Sequence, residues 1–297
     1  MTFSATVKAE LCKSSTEKSC CCLAECYGAL LYGNTFTAKE IRIITGSRAF
    51  AERLPELFRL AHDVDVAPPS PKGGKLSVVI TDKALILRVF SDYGYDPETL
   101  ISHHINLAVL EEECCRQSFI RGAFLSGGSV TDPKGKYHLE LVTGHLSVSR
   151  GTTAILLDMG MSPKDIVRGG NYVTYFKQSE AIEEFLTTIG APASSALISD
   201  ARRSKEITGN VNRRVNCDYA NADKIVNAAQ QQLEAIRIIE KTNGLDTLPD
   251  NIYSAALLRI ANPDASLRDM AALADPPVSK SSMSHRLRRI IAIAEQK

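Results

Sequence analysis

The sequence predicts an α+β protein in which a duplicated amino-terminal domain is followed by an all-helical domain. Three observations support this fold class. A sequence repeat recurs with an offset of 94 residues, helix-like and strand-like segments alternate up to about residue 206, and the remaining segments are all helix-like. With 297 residues, the chain is long enough to hold two domains of ordinary size.

The repeat is clearest where residues 20–36 are aligned with residues 114–130. Six of the 17 positions are identical: Cys20/Cys114, Cys21/Cys115, Gly28/Gly122, Ala29/Ala123, Leu31/Leu125 and Gly33/Gly127. Each segment has the apolar pattern of a helix, and a glycine inside a helix costs about 1 kcal/mol relative to alanine. Glycines at two equivalent places therefore predict two helices whose backbones pack closely, although an ordinary helix pair in a duplicated domain remains an alternative.

Similar elements follow each copy of this helix. In the first half we predict strands at 40–46 and 75–81, helices at 51–63 and 82–94, and a proline-rich loop at 67–74. In the second half we predict strands at 137–143, 164–168 and 172–176, with helices at 147–160 and 179–190. The two halves of the predicted domain, about 20–113 and 114–206, therefore share one order of helices and strands.

After residue 206 the pattern becomes helical. Residues 207–218 are polar and are predicted to be a connector, and residues 219–297 are predicted to form a helical DNA-binding domain. Its helices are expected at 219–241, 251–261, 266–274 and 279–296, with a proline-containing turn at 275–278. Ser266 is a predicted N-cap, and Ser279 or Ser281 is predicted to cap the last helix.

Charge and hydropathy limit the classes of partner. The net charge is +1, so a nucleic-acid surface must be local, and the last 19 residues supply one with five basic side chains against a single glutamate. No segment approaches the roughly 20 apolar residues that cross a bilayer, and the first residues lack the apolar core of a signal peptide. We expect a cytoplasmic protein without a membrane partner.

Residues 266–297 have the parts of a helix-turn-helix, namely a short helix, a turn and a longer basic helix. Such helices place their first residues against base edges, while arginines pair with phosphates or guanine. The predicted DNA-binding residues are Ser266, Lys280, Ser281, Ser282, Ser284, His285, Arg286, Arg288 and Arg289. A solvated charged face on a terminal helix is the alternative.

Two further groups of residues have open roles. Asn212, Arg213, Arg214 and Asn216 are candidates for DNA or interdomain contact, or for holding turns and caps in a connector. The paired cysteines at 20–22 and 114–115 could approach one another if their helices are neighbours, and thiolates bind zinc or act as redox sensors. The sequence favours small buried residues at a tight interface instead, and we predict no metal and no cofactor.

Residues 119–130 (FIRGAFLSGGSV) resemble the second signature helix of LAGLIDADG homing endonucleases, and residues 27–36 resemble the first. The resemblance implies two central helices, a saddle of strands over DNA, and an acid at the end of each helix that holds Mg²⁺. Those acids correspond here to Gly33 and Gly127, which cannot bind a metal. The resemblance therefore implies a catalytically inactive scaffold and a protein that is not an enzyme.

The degenerate domain, residues 212–229 (NRRVNCDYANADKIVNAA) and residues 266–290 (SLRDMAALADPPVSKSSMSHRLRRI) together are similar to the WhiA family of Gram-positive bacteria. This resemblance implies a nucleoid-associated transcription regulator of sporulation and cell division that binds double-stranded promoter DNA. Another transcription regulator or RNA polymerase is a candidate partner. The alternatives are a protein-interaction or structural cell-division factor and, less favoured, a residual homing endonuclease.

Overall fold

The computed structural model describes residues 2–13, 18–98 and 102–296, apart from the side chain of Asp218. The chain divides into two compact units, Met1–Lys205 and Glu206–Lys297. Within the described residues, no helix combines the length and the apolar character that a membrane span requires.

The amino-terminal unit consists of two similar halves. The first contains α1 (Phe3–Leu11), α2 (Ser19–Leu31), β1 (Thr35–Phe36), β2 (Ile41–Thr45), α3 (Arg48–His62), β3 (Ser70–Lys72), β4 (Lys75–Ile80) and α4 (Lys83–Asp92). The second contains α5 (Glu113–Gly127), β5 (Gly128–Val130), β6 (Leu139–Thr143), α6 (Leu146–Asp158), β7 (Lys164–Arg168), β8 (Asn171–Phe176) and α7 (Ser179–Thr188). The predicted duplication and α+β class are confirmed.

Each half contains one antiparallel sheet of four strands. The strand orders are β1-β2-β4-β3 and β5-β6-β8-β7, so the topology repeats together with the sequence. In β2 the side chains of Ile41, Ile43 and Thr45 are buried, whereas those of Arg42 and Ile44 are partly exposed. The alternation that predicted half-buried strands is thus present in the fold.

The prediction of a loop over 67–74 was wrong in part, because Ser70–Lys72 forms β3 and pairs with Lys75–Ser77. Gly73 and Gly74 connect the two strands with φ angles of 54° and 77°. A type I′ hairpin turn needs positive φ at both central positions, which glycine adopts without strain. Pro71 is tolerated because β3 is an edge strand. Gly169 and Gly170 form the equivalent turn between β7 and β8.

The remaining helices are α8 (Pro192–Thr242), α9 (Asp250–Ala261), α10 (Leu267–Leu273) and α11 (Lys280–Glu295). The predicted start of the long helix near Tyr219 was wrong, since residues 208–218 belong to α8. This segment contains no proline and only one glycine, and Arg213 Nη2 donates to Asn210 Oδ1 at 2.7 Å along the helix. Its polar side chains therefore hold no turns, while its role as a connector remains a prediction.

The carboxy-terminal unit has its own hydrophobic core. Four helices contribute to it, and its most buried apolar side chains are Ile236, Ile239, Ala255, Ala256, Met270, Met283, Leu287 and Ile290. Three of these side chains come from α11, so the basic helix is anchored by its apolar face rather than lying free on the surface.

Candidate nucleic-acid interface

The turn between α10 and α11 is fixed by short-range hydrogen bonds. The Val278 amide donates to the Ala271 carbonyl at 3.0 Å, which brings the start of α11 back against the end of α10. Ser279 is the N-cap of α11, and its hydroxyl accepts from the Ser282 amide at 3.1 Å. Of the two capping serines that the sequence allowed, the structure selects Ser279.

Helix α11 has one buried and one exposed face. Met283, Leu287 and Ile290 are completely buried, at the spacing that places side chains on one side of a helix. On the opposite side, Ser281, His285 and Arg288 are exposed at intervals of four and three residues. We call these three residues the reading row.

The other predicted contact residues of α11 surround the reading row. Lys280 and Arg289 are exposed, whereas Ser282, Ser284 and Arg286 are partly buried at the flanks. Arg288 Nε lies 3.4 Å from the Ser284 carbonyl within the helix. Among the described residues, no ion pair engages any basic side chain of α11, so their charges are available to an external anion.

Ser266 has a role inside the protein. Its hydroxyl accepts from the Asp269 amide at 3.3 Å while its own amide donates to Asp269 Oδ2 at 3.3 Å, which together form a capping box at the start of α10. The Ser266 hydroxyl also donates to Asp269 Oδ2 at 2.7 Å. The predicted N-cap is confirmed. A DNA contact by Ser266 remains a prediction, since the hydroxyl is already engaged.

Sequence reasoning missed Arg259, which supports the loop before α10. Only 2% of this residue is exposed. Its Nε donates to Gln232 Oε1 at 2.9 Å, and its Nη1 lies 2.8 Å from the Ala265 carbonyl and 3.2 Å from the Asn262 carbonyl. Burial lowers the pKa of Arg259. The sequence did contain a signal for a buried arginine, because Arg259 follows Ile252 by seven residues and so occupies a core position of α9.

The four polar residues of α8 with open roles are all exposed: Asn212, Arg213, Arg214 and Asn216. They lie within little more than one turn of α8, so they point to different sides of the helix, and Asn212 and Asn216, four residues apart, share a face. Whether they contact DNA or another part of the protein remains a prediction.

At the centre of the amino-terminal unit, α2 and α5 pack with their backbones in contact. A Cβ on Gly28 would lie 2.0 Å from the Phe119 carbonyl oxygen, and a Cβ on Gly122 would lie 1.9 Å from the Glu25 carbonyl oxygen. Real carbon and oxygen atoms do not approach this closely. The predicted close packing of two glycine-containing helices is therefore confirmed.

The ends of these two helices do not fit a Mg²⁺ site. A Cβ on Gly127 would lie 2.5 Å from the Val142 carbonyl oxygen and 2.8 Å from Tyr32 Cδ1, so no side chain fits there. A Cβ on Gly33 would lie 3.1 Å from two carbonyl oxygens of α2. Mg²⁺ needs carboxylate oxygens, and packing excludes one at Gly127. Asp132, the nearest acid after α5, is exposed and accepts from the Lys134 amide at 2.8 Å.

We expect no Mg²⁺-dependent cleavage of DNA by this protein. The measurement is incubation of plasmid and genomic DNA with purified protein and Mg²⁺, followed by electrophoresis. Asp132→Asn serves as the comparison, because Asp132 is the first acid that follows α5 in the sequence. Cleavage that the wild type supports and Asp132→Asn abolishes would contradict the expectation.

Comparison with known proteins gives two family models that together cover most of the chain. The model described as the WhiA LAGLIDADG-like domain matches residues 116–208, and the model described as the WhiA C-terminal HTH domain matches residues 211–294. Among curated relatives, proteins named "Probable cell division protein WhiA" are 37% identical in Ruminiclostridium cellulolyticum and 34% identical in Clostridium botulinum. Both alignments cover 100% of this chain and 98% of the relative.

Solved structures agree with these matches. The crystal structure of full-length DUF199/WhiA from Thermatoga maritima has a TM-score of 0.60 and 26% identity, with 100% of this chain and 99% of the other covered. The amino-terminal LAGLIDADG domain of DUF199/WhiA has a TM-score of 0.51 and 22% identity over 64% of this chain and 92% of the other, a likeness of fold. The predicted fold class, a duplicated LAGLIDADG-like domain followed by a helix-turn-helix domain, is confirmed.

Proposed function

The chain belongs to the WhiA family, and from this premise we propose that it is a sequence-specific DNA-binding transcription regulator without enzymatic activity. The observation that supports the proposal most directly is the exposed face of α11. It presents the hydroxyl of Ser281, the imidazole of His285 and the guanidinium of Arg288 in one row. Further cations lie beside this row. This is the chemistry that reads base edges while holding phosphates.

Each group of α11 has a distinct part in this proposal. The reading row, Ser281, His285 and Arg288, enters the major groove, and Arg288 pairs with guanine O6 and N7. The flanking cations Lys280, Arg286 and Arg289 neutralise phosphates, an interaction that supplies affinity and makes it depend on salt. The start of the helix adds its own partial positive charge.

The biological role in this proposal is regulation of cell division and sporulation genes. Curated relatives are named as cell division proteins, and a helix-turn-helix domain acts by binding promoters. A protein that occupies promoters is cytoplasmic and associated with the nucleoid, and RNA polymerase or another regulator is its further partner. The LAGLIDADG-like domain serves as a scaffold, since its helix ends have no metal-binding acid.

The test of DNA reading is the double change Arg286→Ala with Arg288→Ala. On a genomic fragment selected by footprinting, we expect affinity to fall on the order of 100-fold, because each arginine contact is worth about 1–3 kcal/mol. The slope of log affinity against log salt should become shallower by roughly one, because of these two arginines only Arg286 is assigned to a phosphate. Arg237→Ala with Lys241→Ala, two exposed cations of α8, removes the same charge elsewhere and is the matched control. Unchanged affinity and slope would exclude α11 from the interface.

A role in protein interaction is the second candidate, and an exposed apolar row on α8 favours it. Ile207, Val211, Val215 and Tyr219 follow at intervals of four residues, with exposed fractions of 66%, 54%, 43% and 70%. Genome-wide binding profiles distinguish the two functions. Discrete promoter peaks that disappear when residues 266–297 are removed support the regulator, whereas a genome without such peaks supports the interaction factor.

A further inference from the structure

We propose that Cys20, Cys21, Cys114 and Cys115 form a tetrathiolate site for Zn²⁺ that joins the first turns of α2 and α5. The four Sγ atoms all lie within 4.8 Å of one another. The sequence favoured buried interface residues and no metal. The structure instead brings the sulfurs of both cysteine pairs of the repeat close together, and the proposal rests on this arrangement.

The distances suit a single tetrahedral ion. With Zn–S bonds of about 2.3 Å, the sulfurs of a tetrahedral site are about 3.8 Å apart. Cys20 Sγ and Cys21 Sγ are already 4.0 Å apart, and the widest separation in the group exceeds the tetrahedral value only modestly. A polynuclear iron–sulfur cluster holds its cysteine sulfurs farther apart, because iron and sulfide lie between them. All four cysteines are free thiols in the structure.

Four thiolates at one partly buried point need a cation to stabilise them. Both pairs lie in the first turn of a helix, where the partial positive charge of the helix start stabilises a thiolate. Hydrogen bonding from Cys21, together with the charge of Lys18, lowers the pKa of Cys114. Burial raises the pKa of Cys21 to about 11 and that of Cys115 to about 12. Zn²⁺ displaces the four protons and offsets the mutual repulsion of the thiolates.

The site is closed in the manner of a structural metal centre. Four protein ligands leave no coordination position for water or substrate. Cys21 and Cys115 are buried, whereas Cys20 is exposed, so an ion can reach the site from one side. The Ser118 side chain hydrogen-bonds to Cys21 and would help to orient that ligand.

The consequence is a link across the two halves of the duplicated domain. Cys20 and Cys114 are separated by 94 residues in sequence, and each precedes a close-packing glycine, Gly28 or Gly122, by eight residues. An ion that binds only the folded arrangement stabilises it by mass action. The zinc site would therefore hold the starts of the two helices together while the glycines allow their middles to touch.

The test uses untagged full-length protein purified without chelator. Elemental analysis should give about one zinc per chain, and the double variant Cys20→Ser with Cys114→Ser should reduce it to roughly a tenth. Cys12→Ser with Cys217→Ser removes two thiols outside the cluster and should keep the zinc. Replacement of zinc by Co²⁺ in the wild type should give the charge-transfer and d–d absorption of a tetrahedral cobalt tetrathiolate.

A strong chelator should lower the melting temperature of the wild type by about 5 °C or more and leave the Cys20/Cys114 variant unchanged. If that variant does not fold, the wild-type zinc content and cobalt spectrum decide the question. Wild-type protein that purifies without zinc and gives no tetrathiolate cobalt spectrum would overturn the proposal. A Cys20–Cys114 disulfide found by mass spectrometry, or zinc retained by the folded double variant, would also overturn it.

Discussion

Gly122→Ala is expected to lower the free energy of unfolding by about 3 kcal/mol or more, even though alanine favours helix by about 1 kcal/mol. The added Cβ would meet the Glu25 carbonyl oxygen at 1.9 Å and the Ala29 amide nitrogen at 2.9 Å. Both are backbone atoms of α2, so no side chain can rotate away. The helices must separate, and the tightly packed side chains around them lose contact.

The loss can be measured by urea denaturation of the full chain followed by tyrosine fluorescence. The chain has no tryptophan, and seven of its nine tyrosines precede residue 206, so this signal reports mainly on the amino-terminal unit. Gly28→Ala should behave in the same way, since its Cβ would lie 2.0 Å from the Phe119 carbonyl oxygen.

The matched control is Gly209→Ala in α8. Gly209 is also inside a helix, but nothing lies within 4 Å of its hypothetical Cβ. There the intrinsic preference of alanine acts alone and should stabilise by up to about 1 kcal/mol. If Gly122→Ala and Gly209→Ala gave the same small change, close backbone packing would not be the reason for the repeated glycine.

The central helix pair could be predicted because its glycines contradict local helix preference. A residue that weakens a helix, repeated at equivalent positions, requires a reason from packing, and the contact between Gly28 and α5 is that reason. The strands could be predicted from a regular pattern, since residues on the buried face of a strand recur at every second position. In β2 these residues are Ile41, Ile43 and Thr45.

The parts that the sequence did not predict depend on long-range pairing or on an absence of hydrophobic pattern. Helix α1 and strand β3 are short, and β3 contains Pro71, which locally disfavours a strand. Residues 208–218 carry only one narrow row of apolar residues among polar ones, and this segment was therefore predicted as a connector, although no residue there breaks a helix. The cysteine cluster needed the relative position of two helices, which a repeat suggests without fixing distances.

In the candidate interface, too, the sequence predicts some features of α11 and misses others. The apolar spacing of α11 predicts that Met283, Leu287, Ile290, Ile291 and Ile293 seat the helix. The first three are buried, whereas Ile291 and Ile293 are only partly buried. The sequence grouped the polar residues of this helix together. The structure separates exposed Ser281, His285 and Arg288 from partly buried Ser282, Ser284 and Arg286, because helix phase relative to the core decides exposure.

Arg259→Met is expected to destabilise the carboxy-terminal unit by about 3 kcal/mol, because methionine fills part of the space but donates no hydrogen bond. Gln232 Oε1 and the carbonyls of Asn262, Pro263 and Ala265 would each lose their arginine donor. Buried acceptors without a donor carry the cost of their lost hydration. Arg259→Lys should lose less, since an ammonium can serve some of these acceptors but lacks the planar fork.

Hydrogen exchange with mass spectrometry on the full chain localises the effect. Peptides from α9, α10 and α11 should exchange faster in Arg259→Met, whereas those from β6 and β8 should not change. Arg268→Met replaces an exposed arginine of α10 and should alter stability by less than about 0.5 kcal/mol. Unchanged exchange in α9–α11 would contradict a supporting role for Arg259.

The same substitution connects stability with DNA reading. Arg259 holds the carbonyls of residues 262–265, and this loop leads directly into the capping box that starts α10. When the loop loosens, α10 no longer fixes the turn that positions α11, although every side chain of the reading row is intact. DNA affinity of Arg259→Met should therefore fall while its salt slope keeps the wild-type value, because the number of phosphate contacts in the folded fraction is unchanged. Arg286→Ala with Arg288→Ala should also lower the affinity, but with a shallower salt slope and without loss of stability. The salt slope and the stability of the two variants therefore distinguish a residue that supports the helix-turn-helix from residues that contact DNA.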